Sequence, residues 1–122
     1  LYEEGGLLAN SQAVTPHFRE RLLELSDHPL VGEVRSLGLL AGIELVTNKE
    51  RKTRPARELG VPGHLARIGY RRGLIFRAFG DGVIGLAPAL SIRPAEIDLL
   101  AERLRATLDE LLSIPEIHDA ID

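Results

Sequence analysis

The sequence of 122 residues contains no cysteine, no methionine and no tryptophan. The lack of cysteine excludes disulfide bonds, zinc sites built on cysteine and thiol nucleophiles, and it is compatible with the cytoplasmic location that we expect. The lack of methionine means that the chain, which begins at Leu1, has no initiator residue. We therefore expect a piece of a longer protein or a chain with a processed start.

An excess of basic charge is also missing. Fifteen Lys and Arg stand against eighteen Asp and Glu, for a net charge of -3, whereas proteins that bind nucleic acid usually carry a clear basic excess. No apolar run approaches the roughly 20 residues of a membrane span, and no signal peptide opens the chain. We therefore expect neither a nucleic acid nor a membrane as partner.

Three segments have the spacing of helices. Apolar residues recur every three or four positions within residues 1–30, 61–73 and 93–113, which predicts a helical entry, a middle helix and a C-terminal helix. Because proline lacks a backbone N–H, Pro16 predicts either two helices or one kinked helix in the first segment. We expect the tail after Pro115, residues 118–122, to fray.

Two segments indicate β structure. Residues 31–46 are rich in branched side chains with glycines among them, which predicts a strand pair that turns near residues 36–38. Its second strand is apolar on both faces except for Glu44, so we expect that strand to be covered on both sides for most of its length. Residues 74–88 predict a hairpin, with the Gly-Asp-Gly turn signal at residues 80–82.

Residues 47–60 form a polar loop with a basic excess. Its cations are Lys49, Arg51, Lys52, Arg54 and Arg57. They indicate either a solvated loop or a loop that faces a partner, and the lack of aromatic residues among them disfavours a platform for single-stranded nucleic acid. Together the segments predict one α+β domain over residues 1–122, with a small, mostly antiparallel sheet and helices packed on one face.

The usual catalytic patterns are absent. The histidines are His17, His28, His64 and His118. No pair of them has the spacing that places two metal ligands on one helix face, so we expect surface or capping histidines. No serine lies in a Gly-x-Ser-x-Gly motif. Lys49 and Lys52 lie in the basic loop, where a lysine has charge without the burial that an imine-forming lysine needs. These patterns disfavour a metal, serine or nucleotide hydrolase.

Arg77 is the residue that stands out. It lies in the middle of an otherwise apolar strand just before a tight turn. An arginine there either points to solvent or binds a ligand in a cleft, where its planar guanidinium can hold a carboxylate through two parallel hydrogen bonds. Arg35 in the first strand is a weaker candidate, because Glu33 and Ser36 make its surroundings polar.

Three stretches resemble the C-terminal part of a class III pyridoxal-phosphate aminotransferase, and they look closest to the omega-amino-acid:pyruvate branch. They are residues 31–46 (VGEVRSLGLLAGIELV), residues 73–88 (GLIFRAFGDGVIGLAP) and Ile97-Asp98 at the start of the last helix. The resemblance implies the small C-terminal domain of a fold-type-I enzyme, which closes over pyridoxal 5'-phosphate held mainly by a larger domain. It also implies a homodimer or larger assembly when intact. In this family the arginine matching Arg77 binds the carboxylate of a substrate.

The sequence departs from the family at two positions. Ala89 stands where a second proline is usual, and Ser36 replaces the usual glycine. The cofactor lysine, the ring-stacking aromatic residue, the aspartate that pairs with the pyridinium and the phosphate-binding residues belong to the large domain, and this chain has no counterpart of them.

By this reading the chain cannot catalyse transamination alone, and it lacks an N-terminal large domain. Its substrates would be an amine or omega-amino acid and a 2-oxo acid. The alternative is a self-contained α+β binding module without catalysis, in which Arg77 is a surface residue.

Overall fold

This computed structural model describes residues 4–74, 77–78 and 82–121, and only the backbone of residues 4–5 and 77–78. In chain order the elements are α1 (Glu4–Leu23), β1 (Val31–Leu37), β2 (Leu40–Leu45), α2 (Val61–Arg71), β3 (Arg77–Ala78), β4 (Val83–Leu86), α3 (Pro94–Leu112) and α4 (Pro115–Ala120). Short 3-10 turns lie at Glu24–Asp27 and Arg57–Leu59. Part of the expected hairpin, including Gly80 and Asp81, lies outside the described residues.

The four strands form one sheet in the order β1-β2-β4-β3, and each of these pairings is antiparallel. The β1–β2 turn lies slightly later than expected, because Ser36 still pairs with Ala41 in the sheet. Gly38 in the turn has a φ of 58°, in the left-handed region that glycine adopts without steric cost.

Helices cover one face of the sheet, so the predicted α+β class is confirmed. The buried residues that join the two layers are Phe18, Leu22, Leu65, Ile68, Leu104 and Leu108 from helices and Ile43, Leu45, Ile84 and Leu86 from strands. Burying such apolar surface is the main source of stability for a domain of this size. In the part of the chain that the structure describes, no helix has the length and apolar character needed to cross a bilayer.

The expectation that both faces of β2 are covered is wrong. Ile43 and Leu45 are fully buried, whereas on the opposite face Gly42 is only partly buried, the Glu44 side chain remains 12% exposed and Leu40 is exposed. Gly42 lies on that face but contributes no side chain to it. The run of non-polar residues in β2 therefore did not mean that the face is buried. We call this second surface, which carries Gly42, Glu44 and Gly85, the open face.

Pro16 does not divide the first helix, because α1 runs without a break from Glu4 to Leu23. Val14, Phe18 and Leu22 form its buried stripe, while Pro16 lies on the exposed side. A proline removes one hydrogen bond of the helix, and the burial of this stripe compensates for that loss.

The expectation that the tail frays is wrong for residues 118–120, which belong to α4, while Asp122 lies outside the described residues. Pro115 begins α4, and Ile117 in this helix is 1% exposed and belongs to the core. Proline is favourable in a first helical turn because its fixed φ suits the helix and its missing N–H is not needed there. The burial of Ile117 then holds α4 against the core, although its place near the C-terminus had suggested a mobile segment.

Candidate functional site on the open face

The predicted substrate-binding residue, Arg77, lies in β3, where it pairs in register with Gly85 of β4. Directly opposed residues of an antiparallel pair lie on the same face of a sheet. Gly85 lies between the buried residues Ile84 and Leu86 and is therefore on the open face. The register thus places Arg77 at the open face as well.

The register also brings the two candidate arginines into one row across the sheet. Arg35 of β1 pairs with Gly42 of β2, Gly42 pairs with Gly85, and Gly85 pairs with Arg77. The row therefore has an arginine in each outer strand and two glycines in the strands between. The sequence alone could not predict this alignment of the two arginines, because the alignment depends on the pairing of β2 with β4.

Arg35 belongs to a network of charged side chains centred on Glu44. Arg35 pairs with Glu44 and lies 3.5 Å from Glu33, measured from Nε to Oε2. Arg54 of the basic loop reaches the other oxygen of Glu44, with 2.6 Å from Nη2 to Oε1. The guanidinium of Arg35 is therefore occupied by carboxylates of the same sheet. This agrees with the polar surroundings that made Arg35 the weaker candidate in the sequence.

The charges of this network favour the ionised form of Glu44. A hydrogen bond with Glu33 lowers the pKa of Glu44, partial burial opposes that effect, and Arg54 and Arg35 lower the pKa further. The net result is a pKa below the ordinary value of a glutamate. Arg54 thereby tethers the basic loop to the open face, so this loop is not wholly a solvated segment.

Of the two roles expected for the histidines, surface or capping, His28 does not have the first, because it is only 3% exposed. Its Nδ1 accepts a hydrogen bond from the backbone N–H of Leu30 at 3.2 Å, so Nε2 is the donor to Oδ1 of Asp109 at 2.9 Å. This pair joins the start of β1 to α3 and satisfies both ring nitrogens, which gives His28 a structural role.

The described residues do not fit the aldehyde cofactor that the family resemblance implies. Lys49 donates from Nζ to the backbone oxygens of Ser26 and His28, at 2.7 and 3.1 Å. These bonds hold the Lys49 amine against backbone oxygens, whereas an imine-forming lysine must present its amine to the cofactor. Lys52 is exposed in the same loop. The parts of the chain that can be described also contain no cluster of His, Cys, Asp and Glu suited to a metal ion.

A sequence model of the family described as aminotransferase class-III matches residues 1–108. The putrescine–pyruvate aminotransferase of Pseudomonas aeruginosa is 46% identical over 96 residues, which are 78% of this chain and 20% of that protein. The probable gamma-aminobutyrate transaminase 3, mitochondrial, of Oryza sativa subsp. indica is 30% identical over 93% of this chain and 23% of that protein.

Solved structures agree with the sequence comparison. An (S)-enantioselective omega-transaminase from Thermomicrobium roseum superposes with a TM-score of 0.83 at 36% identity, over 89% of this chain and 24% of that one. A PMP-bound aminotransferase from Vibrio fluvialis gives 0.85 at 30% identity, over 91% and 24%. The chain belongs to the class III aminotransferase family. It spans about a fifth to a quarter of the length of the curated relatives it matches.

Proposed function

We propose that this chain is the substrate-closing C-terminal domain of a pyridoxal-phosphate-dependent aminotransferase. The whole enzyme would transfer an amino group between an amine or omega-amino acid and a 2-oxo acid. The match of residues 1–108 to the family carries this proposal, and the names of the relatives support the substrate classes. Putrescine and pyruvate appear in one name and gamma-aminobutyrate in another.

In this proposal Arg77 binds the carboxylate of the substrate. Its register position on the open face supports the role, because the facing residue Gly85 contributes no side chain that would compete for the guanidinium. Arg35, the weaker candidate, already has carboxylate partners in Glu44 and Glu33. A bidentate pair between guanidinium and carboxylate gives both affinity and orientation.

The chain alone is proposed to be incomplete for catalysis. The contacts of Lys49 and the exposure of Lys52 support this view, since neither lysine is placed to form an imine with the cofactor. The cofactor and the lysine that binds it would lie in a large N-terminal domain. We propose that the intact enzyme is a homodimer or a larger assembly and that it is cytoplasmic.

The test is to express the full-length polypeptide with pyridoxal phosphate and to measure transamination of pyruvate, with putrescine or β-alanine as amino donor. Absence of activity with any pair of amine and 2-oxo acid would contradict the proposed reaction. The same assay on the 122-residue chain is expected to give no turnover, and turnover by the chain alone would contradict its incompleteness.

The role of Arg77 is tested by Arg77→Gln in the full-length enzyme. Loss of a charge-assisted pair worth about 1.5–3 kcal/mol should lower kcat/KM for pyruvate by about tenfold to a hundredfold. The half-reaction with putrescine, which has no carboxylate, should change much less. Arg67→Gln is the matched control, because Arg67 is exposed on α2 and its guanidinium contacts the ring of His64 one turn earlier in the same helix. Equal losses for pyruvate and putrescine would exclude carboxylate binding by Arg77.

A further inference from the structure

Strand β1 lies at one edge of the sheet. It pairs with β2 on one side, and no strand in the described part of the chain pairs with its outer side. An edge strand presents unpaired backbone N–H and C=O groups, to which a further strand can be added. Residues 32–37 of β1 are partly buried or exposed. The outer side of β1 is therefore a candidate interaction surface.

Two side chains of opposite charge follow each other on one face of β1. Glu33 pairs in register with Glu44, and Arg35 pairs with Gly42, so both lie on the open face. Val34 between them lies on the opposite face and packs against the core. Arg35 is exposed and Glu33 is partly exposed, so both charges remain accessible to a partner at this edge.

A second copy of this chain fits the edge in one register. If two β1 strands pair antiparallel and the helices of both copies lie on the same side of the joined sheet, the two-fold axis passes through a residue position, because directly opposed residues share a face. An axis at residue 33 or 35 opposes Glu33 or Arg35 to the same residue of the partner subunit. An axis at Val34 opposes Glu33 to the partner's Arg35, and does so twice. Charge complementarity therefore selects the register centred on Val34.

Two further features of β1 agree with this register. The strand is irregular between Val31 and Glu33, so the central pairs over residues 33–35 fall in its regular part. Leu37, which is exposed, comes opposite residue 31 of the second copy. The register thus covers an apolar side chain of each copy, which favours association.

We propose that β1 pairs antiparallel with β1 of a second copy of this chain, in the register centred on Val34. The two four-stranded sheets then form one continuous sheet. Backbone hydrogen bonds supply the affinity, and the two pairs of Glu33 with Arg35 fix the register and exclude other partners. This interface does not depend on the proposed transaminase reaction.

The test is sedimentation equilibrium of the 122-residue chain, which has its own buried core, with the variants Glu33→Lys and Arg35→Glu. The mass of the wild type should approach twice the 13.4 kDa of one chain as the concentration rises. Each variant opposes like charges in both pairs, so its dissociation constant should rise by about tenfold. An equal mixture of the two variants should restore the dimer, because the basic side chains of one variant then face the acidic side chains of the other.

Glu102→Lys is the matched control. Glu102 is exposed and lies on α3 rather than in the sheet, so this variant should leave the dissociation constant unchanged. Circular dichroism gives the melting temperature of every variant. Arg35 also pairs with Glu44 within the chain, so if Arg35→Glu is less stable than the wild type, the result with Glu33→Lys decides alone.

A wild-type chain that stays a monomer at every concentration would overturn the proposal. So would an unchanged dissociation constant in Glu33→Lys. With both variants folded, a mixture no more dimeric than either variant alone would show that Glu33 and Arg35 do not face each other. Masses above the dimer that neither charge variant changes would assign the association to apolar surface instead, and would contradict pairing through β1.

Discussion

Glu44 connects three parts of the molecule through one carboxylate. It lies in β2, and its partners come from β1 (Arg35) and from the basic loop (Arg54). Its side chain is 12% exposed, whereas those of Arg35 and Arg54 are 64% and 41% exposed. The exposure of both arginines reduces the value of each ion pair through solvent screening. Loss of the carboxylate would nevertheless leave two cations facing each other on the open face.

We therefore expect Glu44→Gln to lower the free energy of unfolding by about 1 kcal/mol at pH 7. The pKa of Glu44 is below its ordinary value in the folded state, so its stabilising contribution is complete above pH 4.5 and is lost as the pH falls through the folded-state pKa. The difference between variant and wild type should accordingly shrink in acid. Urea unfolding at pH 7 and at pH 3 measures both values.

Glu50→Gln is the matched control, since Glu50 is exposed in the same basic loop. It should change the free energy of unfolding by less than about 0.5 kcal/mol at either pH. A Glu44→Gln effect that stays constant from pH 7 down to the lowest pH at which the protein remains folded would show that shape, rather than charge, makes Glu44 important.

Among the helices, α3 was the easiest to predict and α4 the hardest. Ile97, Leu104 and Leu108 recur at helical spacing in α3, and all three are buried, so a long periodic segment reveals both its helix and its core face. The N-terminus of α3 was less clear, because Arg93 is a poor capping residue. The structure shows that the Glu96 carboxylate accepts a hydrogen bond from the backbone N–H of Arg93 at 3.0 Å.

The open face was harder to predict for a different reason. Alternation along β2 identifies Ile43 and Leu45 as one face, but it does not reveal whether a second layer covers the other. Nor does local sequence reveal that Gly42 faces Gly85, since that contact joins residues 43 positions apart. Arg77 could be selected from its unusual place in an apolar strand, whereas its glycine neighbours required the register of the sheet.

The packing of α4 leads to a stability prediction for this element. Ile117→Ala should lower the free energy of unfolding by about 2–4 kcal/mol, because it removes a side chain that is 1% exposed and leaves a cavity. His118→Ala in the same helix is the control, since His118 is exposed, and its effect should stay within about 0.5 kcal/mol. Urea unfolding followed by circular dichroism measures both. Equal, small effects would mean that α4 does not dock in solution.

At the scale of the whole molecule, several large apolar side chains remain exposed. Leu37 and Leu40 are 79% and 59% exposed and pair with each other at the end of the β1–β2 hairpin. Leu90 and Leu99 are also exposed, at 45% and 44%. A domain that normally packs against the rest of a larger protein exposes such apolar surface when it is isolated. A self-contained module, in contrast, should remain a monomer without any partner on that surface.

We therefore expect the isolated chain to self-associate. Its mass by light scattering should exceed the 13.4 kDa of one chain and should rise between a low and a high concentration, because association of exposed apolar surface follows mass action. The double variant Leu37→Ser/Leu40→Ser should reduce the increase in mass with concentration. It should not lower the melting temperature, since both side chains are mainly solvated. A monomer at both concentrations would favour the non-catalytic module over the severed domain. If the double variant shows the same increase in mass with concentration, the surface that drives association lies elsewhere on the chain. Leu90 and Leu99 are then the next positions to replace.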